Sequence, residues 1–156
     1  MAMAITLQEY LKRHDVDYEE VTHPREASAN RIAEQAHLSG ERIAKAVLIK
    51  GDTGYRVVVL PSTYRADLSE LSHHYHERLG LATESEVTNL FGDCDPGAVP
   101  ALAQAYGVRV VYDETLMTQP ELYLEAGDHE TLVRVPKREF HRLMLEAEHG
   151  HFGRHI

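Results

Sequence analysis

Hydrophobic positions along this chain switch between helical spacing and near-strict alternation, so helices and strands follow one another from end to end. Thr6-Leu7-Gln8-Glu9 has the spacing of a capping box, and Leu7, Tyr10 and Leu11 fall at helical intervals, which predicts a first helix over 6–14. A short strand over 18–22 stops at His23-Pro24, because proline lacks an amide donor and biases its predecessor away from helix. Ser28 caps a second predicted helix with the stripe Ile32, Ala33 and Ala36, ending near Leu38. Ala44-Lys45-Ala46-Val47-Leu48-Ile49-Lys50 and Tyr55-Arg56-Val57-Val58-Val59-Leu60 are strands joined by the turn Gly51-Asp52-Thr53-Gly54. Their continuous apolar character predicts a central position covered on both faces.

Further along, Asp67-Leu68-Ser69-Glu70 opens a helix with Leu68, Leu71 and Tyr75 inward and Leu79 near its end, stopped by Gly80. Thr83-Glu84-Ser85-Glu86 is another capping box, for a short helix through Leu90. Strands are predicted at Val108 to Tyr112, Glu121 to Glu125 and Thr131 to Val135, the last two joined by a tight turn and the last ended by Pro136. Lys137 to Glu148 reads as a final helix with Phe140, Leu143 and Met144 on one side, followed by a frayed, histidine-bearing tail. The sum is an α/β (α+β) fold: a mixed, mostly antiparallel central sheet, partly barrel-like, wrapped by peripheral helices. Residues 1–146 form one domain and 147–156 the polar tail.

Composition narrows the class. A chain of 156 residues is long enough for one real core, and 43% hydrophobic with 26% charged residues excludes disorder. The opening Met-Ala-Met-Ala-Ile-Thr lacks a basic region followed by an apolar run, and no stretch approaches the ~18 apolar residues of a membrane span. The expectation is a cytoplasmic protein with no membrane partner. A single cysteine, Cys94, excludes an internal disulfide and a multi-cysteine zinc site. A net charge of −9 argues against a broad grip on nucleic-acid backbone, so DNA is not an expected partner. Local contact with an RNA end is compatible with it, steered by small groups such as Lys12-Arg13 and Lys137-Arg138.

Candidate chemistry concentrates in three segments and one strand lysine. Lys45 shares a strand face with Val47 and Ile49, so its charge either escapes at the strand's end or projects into something that wants a cation. Gly92-Asp93-Cys94-Asp95-Pro96-Gly97-Ala98-Val99-Pro100 places small residues where backbone amides can meet a ligand and bind a developing oxyanion; it reads equally as a surface turn. Gly127-Asp128-His129 sets an imidazole beside a carboxylate on a tight turn, and His23-Pro24 sits at a strand end that either lines a pocket or covers a helix end. Cys94 has no visible histidine partner for nucleophilic work. His73 and His76, and the group His149, His151 and His155, lack a carboxylate or cysteine at ligand spacing, so neither a metal nor a cofactor is expected.

The order of an Ala-Lys-Ala-Val-Leu strand, a Gly-Tyr-x-Val-Val-Val-Leu-Pro strand, a Pro-Gly-Ala-Val-Pro loop and a Glu-Ala-Gly-Asp-His hairpin resembles the YbaK/prolyl-tRNA-synthetase-associated domain family, over roughly residues 5 to 146. The resemblance implies an aminoacyl-tRNA deacylase, a trans-editing protein that hydrolyses the ester between a wrong, small amino acid and the 3′ end of a tRNA. It implies as partners the acceptor end of a mischarged tRNA and an aminoacyl-tRNA synthetase. By position it puts Lys45 in the editing pocket, aligns Gly97 to Pro100 with the family's glycine-to-proline loop, one residue shorter here, and matches His129 to a functional histidine. The expected catalytic set is therefore Lys45, the amides of Gly97, Ala98 and Val99, and His129. Substrate would be bound by His23, Val47, Pro100, Gly127 and Asp128. The same pocket would also serve a non-catalytic module that binds a tRNA end, a nucleotide or a small aminoacyl ligand.

Overall fold

The computed structural model describes residues 3–23 and 39–156. Pro24 and the helix expected over 28–38 lie outside the described residues. Helix α1 spans Ile5–Arg13 and buries Leu7, Tyr10 and Leu11, the positions its spacing selects. Its start differs from the expected capping box: Ala4 is the N-cap, and the Thr6 amide donates to the Asp93 carboxylate at 2.7 Å. A distant acidic side chain thus satisfies a first-turn donor that a local cap would otherwise take.

The strands are β1 (Glu19–Thr22), β2 (Ile43–Gly51), β3 (Gly54–Pro61), β4 (Tyr64–Ala66), β5 (Gly80–Leu81), β6 (Arg109–Asp113), β7 (Glu121–Glu125), β8 (Thr131–Pro136), β9 (Glu148–Gly150) and β10 (Gly153–His155). Eight of them form one mixed sheet in the order β1-β8-β7-β2-β3-β6-β9, with β5 on β2; β4 and β10 pair separately. The β2–β3 hairpin is antiparallel as expected, whereas β2–β7, β3–β6 and β6–β9 are parallel. The sheet is open rather than barrel-like: among the described residues β1 and β9 are its two edges.

Alternation along the strands makes two faces. Ala44, Leu48, Val57, Val59, Tyr112, Leu124 and Val133 join one core with α1, helix α3 (Glu84–Leu90) and helix α4 (Lys137–Leu143). On the other face, Ile49, Val58, Leu60 and Val111 pack with Leu71 of helix α2 (Leu68–Tyr75), and Ile43, Tyr123 and Leu132 make a separate small cluster. Asp67 caps α2 and Thr83 with Glu86 forms the expected capping box of α3.

Two elements end earlier than their patterns suggest. Helix α2 stops at Tyr75 because His76 takes a left-handed conformation (φ +55°), and Gly80 belongs instead to β5, paired with Lys50. Helix α4 stops at Leu143, and the segment expected as a frayed tail supplies β9 and β10. Asp113 holds that segment: its Oδ2 accepts the amides of Phe152 at 3.0 Å and Gly153 at 2.8 Å, beside the buried Phe152 ring.

Candidate active site

Lys45 occupies the gap between the two clusters on the second sheet face, since its strand neighbours on that face are Ile43 and Val47. β2 runs parallel to β7 with Ile43 beside Tyr123 and Ala44 beside Leu124, so the next step of the register sets Lys45 alongside Glu125. Both side chains line a cleft of about 130 Å³ with Ala46, Gly97, Ala98, Val99 and His129. Lys45 is half-buried, and burial pushes its ammonium pKa down. Among the described residues its Nζ reaches only the Ser62 carbonyl, at 3.4 Å.

The loop wall follows from its sequence. Asp95-Pro96-Gly97-Ala98 is a type II turn: proline at the second position, Gly97 at φ +80°, and the Ala98 amide donating to the Asp95 carbonyl at 3.0 Å. The third position requires a positive φ, which is why glycine stands there. That bond engages the Ala98 amide, so Ala98 does not serve as the oxyanion donor expected of it. Gly97 and Val99 are the amides of this stretch without a main-chain partner among the described residues.

Residues 126–131 carry His129 into the cleft. Asp128 accepts the amides of Glu130 (3.0 Å) and Thr131 (2.7 Å) and the Thr131 hydroxyl (2.8 Å). Burial alone would raise its pKa, but these donors outweigh burial and hold the carboxyl below its ordinary value. Its carboxylate therefore shapes the tip. Gly127, at φ +90°, lies so close to Cys94 that a Cβ would stand 2.7 Å from Sγ. The Asp95 amide donates to the Gly127 carbonyl at 2.7 Å. These contacts dock the loop on the hairpin.

His129, itself at φ +59°, completes the dock: its Nε2 lies 3.0 Å from the Pro96 carbonyl, which can only accept, so Nε2 carries the proton. In a planar trans peptide the N–H opposes the C=O, so this bond also fixes the Gly97 amide.

Lys45, Gly97, Ala98, Val99 and His129 are thus brought together, while the expected binding residues stand outside the cleft lining. Val47 packs under α2, and Pro100 is buried behind the loop. Gly127 and Asp128 build the tip. His23, 5% exposed, extends β1 toward it: its backbone N–H donates a hydrogen bond to the Glu130 carbonyl at 2.8 Å. Cys94 is no nucleophile candidate, since burial pushes its thiol up to about 11.

The residue missed in sequence is Glu125. It is 9% exposed, its Oε2 has no hydrogen-bond partner among the described residues, and burial together with the Asp128 charge pushes its carboxyl up to about 7. The available signal was alternation: Glu125 shares a face with Tyr123 on a predicted strand.

A family model for the aminoacyl-tRNA editing domain matches residues 23–143. No curated protein matches the sequence. Among solved structures, the hypothetical protein APE2540 is similar at a TM-score of 0.84 and 20% identity, over 96% of this chain and 99% of its own. A candidate trans-editing enzyme for prolyl tRNA synthetase is similar at 0.82 and 23% identity, over 97% and 96%. A candidate signal transduction protein from Marinobacter aquaeolei VT8 is similar at 0.78 and 17% identity, over 97% of this chain but 31% of its own. At these identities the structural likenesses establish a shared fold.

Proposed function

Because the chain belongs to the aminoacyl-tRNA editing domain family, we propose that it is a trans-editing deacylase that hydrolyses the ester of a mischarged tRNA bearing a small amino acid. The observation that carries this reading is the convergence of a half-buried lysine, with no acidic partner among the described residues, and a preorganised turn in one small cleft. An aminoacyl ester is already activated, so its hydrolysis calls for a positioned water and a stabilised tetrahedral oxyanion rather than a covalent nucleophile.

The roles are assigned on that reading. Lys45 anchors the terminal phosphate or the ester end of the substrate. The Gly97 and Val99 amides supply oxyanion donors, and the bond from His129 to Pro96 keeps the Pro96–Gly97 peptide plane fixed. His129 holds the loop through Nε2, and activation of the water is assigned to the ribose hydroxyl of the tRNA. The cleft's roughly 130 Å³ is a few waters' worth of space, which favours small side chains by exclusion. A net charge of −9 confines tRNA contact to the acceptor end, and a synthetase that releases the misacylated product is the natural supplier.

Incubation with tRNA(Pro) charged with alanine, cysteine or serine tests the reading. Free amino acid should be released by the wild type and not by a folded Lys45→Ala variant. If no member of a wide panel of misacylated tRNAs is hydrolysed, the chain is a binding module and the deacylase reading fails.

A further inference from the structure

Two opposite charges line the cleft without neutralising one another. Among the described residues no ion pair or hydrogen bond joins the Lys45 ammonium, which donates to the Ser62 carbonyl, to the Glu125 carboxyl, although both line the same cleft. No cation lies within ion-pair distance of Glu125 among the described residues. A carboxylate in such a place is held there at a cost that a bound cation would repay, since a buried charge is stable only when paired.

Resting on the deacylase reading, an aminoacyl ester supplies what both poles lack: an anionic phosphate near the ester and an α-ammonium group one carbon beyond the carbonyl. We propose that Glu125 binds the α-ammonium of the aminoacyl group while Lys45 holds the ester end, so that the cleft reads a free amino terminus as well as a small side chain. The consequence is selectivity against blocked esters: an N-acylated aminoacyl-tRNA or a peptidyl-tRNA would leave Glu125 buried and unpaired, which penalises it even where its side chain fits.

The test is calorimetric titration at pH 7 with 3′-alanylamido-3′-deoxyadenosine, whose amide resists hydrolysis, and with its N-acetyl form. The wild type should prefer the free amine by about tenfold or more. Glu125→Gln, with its fold checked by circular dichroism and cooperative urea unfolding, should bind both forms with comparable affinity. Glu125→Asp, which keeps the charge but withdraws it, should show a reduced preference and covers the case in which the Gln variant does not fold. Equal binding of both forms by the wild type, binding of neither, or an undiminished preference in Glu125→Gln overturns the proposal.

Deacylation of alanyl-tRNA and N-acetylalanyl-tRNA by the same proteins separates the two claims. If Glu125→Gln slows both substrates equally, Glu125 acts as a base on the water and the ammonium assignment is wrong. If the wild type hydrolyses neither while the binding preference holds, the deacylase reading fails and the Glu125 assignment stands.

Discussion

Replacing Glu125 with glutamine should change not only the stability of the protein but the shape of its pH dependence. The carboxyl, ordinarily near 4.5, is raised to about 7 by burial and by the Asp128 charge. Over that window the unfolded chain releases the proton while the folded chain retains it. The resulting contribution is fully present below about 4.5 and is lost as pH rises through about 7. A displacement of this size corresponds to a loss of about 3 kcal/mol well above pH 7, and only 9% exposure leaves little solvent to screen it. Glutamine cannot ionise, although its buried amide carries its own pH-independent penalty of about 1–3 kcal/mol.

The quantity to read is therefore the difference between variant and wild type as a function of pH. Urea unfolding at intervals from about pH 5 to about pH 8 should show the variant gaining about 2–3 kcal/mol on the wild type across the range. Parallel profiles would refute the reasoning, because they would mean that Glu125 ionises in the folded protein as freely as in the unfolded chain.

Other consequences are as direct. Gly127→Ala should cost about 2–3 kcal/mol in chemical denaturation, combining a left-handed backbone with the overlap at Cys94, and Cys94→Ala in the same chain should recover only the overlap part. His129→Ala should lower the deacylation rate without altering the shape of its pH profile, since the imidazole holds the Pro96–Gly97 peptide; disappearance of a near-neutral inflection would instead make His129 the proton carrier. The Thr83 amide, the Tyr55 hydroxyl and Lys50 hold the Glu86 carboxyl at about 2, so its stabilisation is present above about 4.5 and lost as pH falls through about 2. Wild type and Glu86→Gln should accordingly converge in acid unfolding. The logarithm of tRNA affinity should fall with log salt at a slope shallower than about −2, as expected for one or two phosphate contacts by a chain of net charge −9.

Local chemistry was the part of this molecule most legible in sequence. The turn at 51–54, the capping box at Thr83 and Glu86, and the proline-glycine turn before Ala98 each declare themselves through residues that one conformation requires. The site was half legible. Lys45 and the loop could be paired through family resemblance, yet only the parallel register of β2 on β7 sets Glu125 beside Lys45, and parallel pairing leaves no local signature.

The elements that were misread have physical causes. His76 ends α2 by adopting a conformation that glycine usually takes, so the glycine four residues later drew the boundary instead. Strands β9 and β10 are short and polar and lack an alternating apolar face; side-chain bonds from Asp113 hold their connecting segment. The Ala98 amide looked available because the residue is small, and became unavailable because the turn that exposes Gly97 closes through it.

Every role assigned to the cleft depends on the hydrolysis of an aminoacyl ester at Lys45. Single-turnover release of labelled amino acid from the best misacylated tRNA, compared between wild type and a folded Lys45→Ala variant, measures this directly. Loss of a buried charge anchor predicts a rate reduced by about 100-fold or more. Equal rates in the two proteins would exclude Lys45 from the reaction.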